Sequence, residues 1–198
     1  MQLLIKQGEL LDPETGQITN NGWLLIVEGV IRERGEGEPA VKLGADDICL
    51  DAAGRILMPG LIDAHVHCAI TTLNFPALQS KPETLRALEA KPVLEKMLLR
   101  GFTTVRDAGG ADWGLAAAVD GGLIRGPRIF YSGRVISQTG GHGDVAARSQ
   151  DTPICACGAM TSFFSHVVDS PDAVRTAVRQ ELKKGAHQIK FMASGGVA

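Results

Sequence analysis

Pro59-Gly60-Leu61-Ile62-Asp63-Ala64-His65-Val66-His67 is the stretch from which the rest of the chain can be read. A Pro-Gly corner breaks regular structure, and the apolar run after it has the length of a strand. Residues two apart in a strand share a face. Asp63, His65 and His67 therefore fall on one side, and Ile62, Ala64 and Val66 on the other. Two imidazoles side by side at the end of a strand can hold one metal ion between them. The same spelling also fits two polar strand residues facing water, so the decision rests on the surroundings.

Upstream, residues 1–58 read as a small β unit. Leu3-Leu4-Ile5, Trp23 to Val27, Val30-Ile31-Arg32 and Ile48-Cys49-Leu50 are strand-sized apolar runs. Turn chemistry separates them at Asp12-Pro13, Asn20-Asn21-Gly22, Glu28-Gly29 and Ala53-Gly54. Glu28-Gly29 between two apolar runs predicts a tight hairpin. The unit is too short to bury a core of its own.

Downstream, residues 59–198 alternate between strand and helix patterns. A helix is predicted from Glu83 to about Leu99, with Leu85, Leu88, Val93, Met97 and Leu98 on its apolar positions. Pro92 predicts a bend there or a split into two short helices. Gly101 ends the helix, and Phe102 to Asp107 reads as a second strand. A short helix over Trp113–Val119 and a third strand at Arg128–Tyr131 follow, then a polar loop at Gly140–Asp144. Ser170 is an N-cap and Pro171 suits the first helical position. Val174, Val178 and Leu182 fall on one stripe of that helix. Gly185 closes it, and Gln188–Ala193 reads as a fourth strand. Strands alternating with helices predict parallel pairing. An apolar strand left at the end of such a sheet suggests the first part of a longer fold.

Composition excludes several classes. The chain has 198 residues, a net charge of −2, 44% hydrophobic and 21% charged residues. No charge excess points to nucleic acid or an acidic membrane surface. No window approaches the roughly 20 apolar residues of a membrane span. The start, Met1 to Lys6, has no basic n-region and too short an apolar run for a signal peptide. The expectation is cytoplasmic, with no nucleic-acid or membrane partner; association into a homo-oligomer stays open. Cys49, Cys68, Cys155 and Cys157 are expected as free thiols, and Cys155-x-Cys157 lacks the spacing of a zinc knuckle.

Four segments taken together carry a resemblance. They are Leu57 to His67, Gly101 to Gly110 (GFTTVRDAGG), Gly140 to Asp144 (GGHGD) and Ile189 to Gly196 (IKFMASGG). In this order and spacing they resemble the amidohydrolase superfamily, in its imidazolonepropionase-like branch that includes Xaa-Pro dipeptidases. The resemblance implies an α/β fold: the N-terminal half of a (β/α)8 TIM-barrel metal-dependent hydrolase, preceded by part of a small β-sandwich. It also implies that further metal-binding histidines and an aspartate, carried by the family on strands five, six and eight, lie outside this chain. The 198 residues alone are then expected to be inactive.

The resemblance assigns roles as well. His65 and His67 would ligate the first metal, with Asp63 orienting a histidine rather than binding. Lys190 would be carboxylated by CO2, turning a cation that is costly to bury into an anionic carbamate bridge between two metals. Its apolar neighbours Ile189, Phe191 and Met192 predict a buried strand. His142 would contact substrate. Tyr131, Arg134 and Asp107, near predicted strand ends, are candidates for substrate contact or support of the site, with core roles equally open. His166 and His187 have no motif around them and read as structural or exposed. The cofactor implied is a divalent metal, zinc first, in one or two ions, although imidazole and carboxylate ligands also suit manganese, cobalt and iron. The reaction implied is hydrolysis of the C–N bond of a small amide or dipeptide by metal-activated hydroxide. Two alternatives stay beside it: a mononuclear cyclic-amide hydrolase with Lys190 uncarboxylated, and an incomplete, non-catalytic fragment.

Overall fold

A computed structural model describes residues 1–146 and 162–195, which leaves Cys155 and Cys157 outside the described residues. The chain folds as two units, Met1–Pro59 and Gly60–Ala198.

The first unit contains β1 (Gln2–Leu11), β2 (Ile18–Val27), β3 (Val30–Glu36), β4 (Ile48–Asp51) and β5 (Ile56–Leu57). They form one sheet in the order β3-β2-β1-β4, with β5 also on β1. The β2–β3 hairpin turns on Glu28 and Gly29, at φ 52 and 79. Positive φ at both central positions is what a type I′ turn requires. β1 pairs in parallel with β4 along its first half and with β5 along its second. The turn at Ala53-Gly54 lets the chain pass from one to the other. The apolar side chains buried in this unit are Leu4, Leu25 and Ala52.

The second unit contains β6 (Leu61–Val66), α1 (Phe75–Gln79), α2 (Glu83–Leu99), β7 (Phe102–Asp107), α3 (Trp113–Asp120), β8 (Arg128–Tyr131), β9 (Val135–Ser137), β10 (Ser165–Val167) and α4 (Pro171–Lys183). β6, β7 and β8 pair in parallel in that order, with α2 and α3 as the crossovers. At the Pro59-Gly60 corner a Cβ on Gly60 would lie 2.1 Å from Thr103 Oγ1, so the chain closes on β7 only because that side chain is missing. Val105 and Ile129 from the sheet meet Ala90, Leu94 and Leu115 from the helices in one core cluster. Among the described residues no helix is long and apolar enough to cross a membrane.

Several expectations are corrected. Of the two outcomes Pro92 allowed, α2 runs as one helix rather than as two. The proline cannot donate to the Leu88 carbonyl four residues back, but Leu88 is 67% exposed and water can serve that group. The buried stripe of α2 is Arg86, Ala90 and Leu94, whereas Leu85 and Leu88 are exposed. Arg86 can occupy a core position because its guanidinium donates to the Lys81 carbonyl and lies 4.4 Å from the Phe163 ring centroid. On α4 the stripe shifts too: Ala177 and Glu181 are buried, while Val174 and Leu182 are exposed.

The fourth strand reduces to a single parallel bridge between Phe191 and Ile136. Ile136 N donates to Lys190 O and Met192 N donates to Ile136 O, each at 2.8 Å. The other edge of β9 is taken by β10, which sequence reading missed. Phe191 is 67% exposed rather than buried, because among the described residues the bridge to Ile136 is the only strand pairing this segment makes.

Candidate metal centre

β6 carries the histidines to the C-terminal end of a parallel strand. Its register against β7 slips there: Asp63 faces Val105 and Val66 faces Asp107, so β6 spends one residue more than its partner. Such a bulge re-aims side chains. Arg106 Nε donates to the Ala64 carbonyl at 2.7 Å within the bulged stretch. Asp63 accepts from the backbone N–H of His65 at 3.1 Å, so it braces that residue through its main chain.

The two rings lie with centroids 5.3 Å apart at an interplanar angle of 65°. His67 Nδ1 is 2.8 Å from the Gly109 carbonyl oxygen. A carbonyl can only accept, so Nδ1 carries a proton, and in the neutral ring the lone pair is on Nε2. The Phe164 ring packs edge-on to His67 at 6.1 Å. Burial, then the charge of Lys190, then His67 and Arg106 hold the His65 imidazole below its ordinary pKa, against the opposing pull of Asp63. A neutral imidazole is the form that ligates metal.

Lys190 is half-buried, on the segment bonded to Ile136. His142 is exposed in its loop, and its N–H donates to the Ser194 carbonyl at 3.2 Å, beyond Lys190 on the same segment. Gly143 N bonds to Ser137 Oγ at 3.1 Å, and a Cβ on Gly143 would sit 2.8 Å from Ser137 Cβ. The loop is thus drawn tightly against β9.

Asp107 is fully buried. Its carboxylate accepts from Cys68 N at 2.6 Å, Gly109 N at 2.9 Å and Ala111 N at 3.1 Å. Burial pushes this carboxyl up, and the three N–H groups partly offset that. Burial, with Asp107 alongside, also pushes the Cys68 thiol up, which makes it inert rather than nucleophilic. Tyr131 is buried; its hydroxyl donates to Lys184 O at 2.8 Å and its ring meets His187 edge-on. Arg134 gives its backbone N–H to Glu181 at 3.3 Å.

The structure therefore brings the His65 and His67 rings together, braces His65 on Asp63, and leaves Lys190, on a segment bonded to β9, close enough for its charge to act on His65. Among the described residues no group of three or more His, Cys, Asp or Glu is placed to hold a metal. The pair nevertheless suits one, since His67 has a fixed tautomer with its Nε2 available beside His65. Gly109, Phe164 and Arg106 are contributors that sequence reading missed. The signal for Gly109 was present in Gly109-Gly110 directly after a strand, where φ is 139 and 107.

The histidine pair stands at the end of a strand in a parallel α/β sheet, the place where such folds commonly carry their chemistry. Residues 56–198 match the amidohydrolase family, and the chain belongs to that family, whose members are generally metal-dependent. It is similar to the structure of a prolidase complexed with N-methylphosphonate-L-proline, at 44% identity and a TM-score of 0.90 over 100% of this chain and 48% of that one. It is also similar to a Xaa-Pro dipeptidase with bound methionine in the active site, at 29% identity and TM-score 0.76 over 96% of this chain and 47% of that one. Ochratoxinase of Aspergillus niger is 32% identical over 95% of this chain and 41% of its own length. The chain thus spans less than half the length of these relatives.

Proposed function

We propose that this chain supplies the first metal ligands of an amidohydrolase that cleaves the C–N bond of a dipeptide or N-acylated amino acid. The observation that carries the reading is the His67 ring, tied through Nδ1 to Gly109 O with Nε2 left to ligate beside His65. Similarity to a prolidase, a Xaa-Pro dipeptidase and an ochratoxinase supports the substrate class. In this reading residues 1–58 are part of a β-sandwich, and residues 59–198 are the first four β/α units of a (β/α)8 barrel in a cytoplasmic enzyme.

His65 and His67 would hold one divalent ion, zinc in the first reading. When bound, the ion acidifies a water and polarises the substrate carbonyl. The neutral amine of Lys190 would add CO2 and release a proton to solvent, so that its carbamate carries negative charge between two ions. His142, exposed on a loop hooked to the Lys190 segment, would meet the substrate. Tyr131, committed to Lys184 O, is read as a core residue.

The test is metal analysis of the full-length protein, with a hydrolysis screen over dipeptides and N-acyl amino acids. Stoichiometric metal and loss of turnover in His65→Ala are expected. A metal-free protein whose activity is indifferent to His65→Ala would overturn the reading.

A further inference from the structure

We infer that Asp107 is the positioning residue of the histidine pair, setting the His67 ring through the Gly109 carbonyl without touching it; the metal-binding consequence rests on the reading just given. One oxygen of Asp107 holds Cys68 N, the residue directly after His67; the other holds Gly109 N and Ala111 N. A single buried carboxylate thus clamps both the main chain that carries the ring and the turn that carries its acceptor. That turn passes through Gly109 and Gly110 at φ 139 and 107. Such φ values are open to glycine, whose backbone is equally free to leave them. The Asp107 oxygen bridging Gly109 N and Ala111 N holds the turn there.

The far side of Gly109 is closed as well. A Cβ there would lie 2.6 Å from Val135 Cγ1 and 2.9 Å from Phe164 Cε2. The carbonyl is therefore held from both directions, and it dictates which nitrogen of His67 bears hydrogen. Asp107 also gives its own carbonyl to Ser132 N at 3.1 Å and to Gln188 Nε2 at 3.1 Å, which joins β6, β7, β8 and the Lys190 segment at one residue. Asparagine keeps this main chain but replaces one acceptor oxygen by a donor facing an N–H. The turn then loosens and the tautomer is no longer imposed.

The experiment is a long-range 1H–15N spectrum of the metal-free protein with 15N-labelled histidine, for wild type, Asp107→Asn and Glu181→Gln. Glu181→Gln removes another buried carboxylate and controls for general destabilisation. Wild type and Glu181→Gln are expected to show His67 with hydrogen on Nδ1, and Asp107→Asn a mixture of both tautomers. Cobalt(II) titration should show affinity lower by about 10–100-fold in Asp107→Asn alone. Hydrogen on Nε2 of His67 in wild type, or a folded Asp107→Asn with wild-type tautomer and affinity, overturns the inference. Asp107→Glu, which keeps the charge on a longer arm, replaces Asp107→Asn if that variant does not fold, and the same outcomes apply. If wild type binds no cobalt while the tautomer shifts as expected, the metal-site reading fails and the role of Asp107 stands.

Discussion

His166 on β10 reaches α4, where its Nε2 donates to the Glu181 carboxylate at 2.8 Å. Lys184 Nζ donates to the same oxygen at 2.7 Å and Arg134 N to the other at 3.3 Å. Burial pushes the Glu181 carboxyl up, but these donors outweigh it and hold it at about 2, against 4.5 ordinarily. The folded state thus binds its proton less readily than the unfolded state. The contribution is complete above the ordinary value and is lost as pH falls from 4.5 towards about 2. Urea unfolding of wild type at pH 7 and pH 3 should show this loss, and Glu181→Gln should show a smaller one. Equal losses in the two proteins would remove Glu181 as the cause.

Glu181→Ala should cost about 2–4 kcal/mol at pH 7, because it strands buried donors as well as removing the carboxylate. The midpoint of urea unfolding measures it. A change under about 0.5 kcal/mol would mark the cluster as solvated rather than buried.

These side chains also show where sequence reading stops. Turn and cap chemistry is local, so Glu28-Gly29, Gly101, Gly185 and Ser170-Pro171 stand where their residue types predict. Burial of a charged side chain is not local. Arg86 and Glu181 take core positions because Phe163, far along the chain, and His166, on a separate strand, come to meet them. A hydrophobic stripe therefore selected Leu88 and Leu182 instead. At the candidate site the histidine pair was legible from its spacing. The grip of Asp107 was not, because all its partners there are backbone N–H groups that any residue could supply.

The histidine pair predicts metal binding by the chain itself. Cobalt(II) titration followed by visible absorption should give a bound form in wild type. His65→Ala and His67→Ala should each weaken it by roughly 100-fold or more, since each removes half of the imidazole donor set. Undiminished binding in either variant would show that the cobalt sits elsewhere.

Lys190 predicts a chemical signature in the metal-loaded full-length protein. Growth with 13C-bicarbonate should place a carbamate carbon resonance in the wild-type spectrum, absent from Lys190→Arg. A wild-type spectrum without it, in protein shown to hold two metals, would rule out the carbamate bridge.

Gly60 and Thr103 should behave as a coupled pair. Gly60→Ala drives a Cβ into Thr103 Oγ1 at 2.1 Å and Cγ2 at 2.3 Å. A cost of about 1–3 kcal/mol is expected, as for overpacking elsewhere. Thr103→Ala removes both contacts, so the double variant should recover part of the loss in a thermodynamic cycle. Strict additivity would show that the corner relaxes by another route.

The bond from His142 N to Ser194 O has a kinetic consequence. The loop bearing His142 and the strand end beyond Lys190 are stitched main chain to main chain, so the loop cannot swing out while that stitch holds. Outward movement of the His142 loop and displacement of the Lys190 segment then become one event with one barrier.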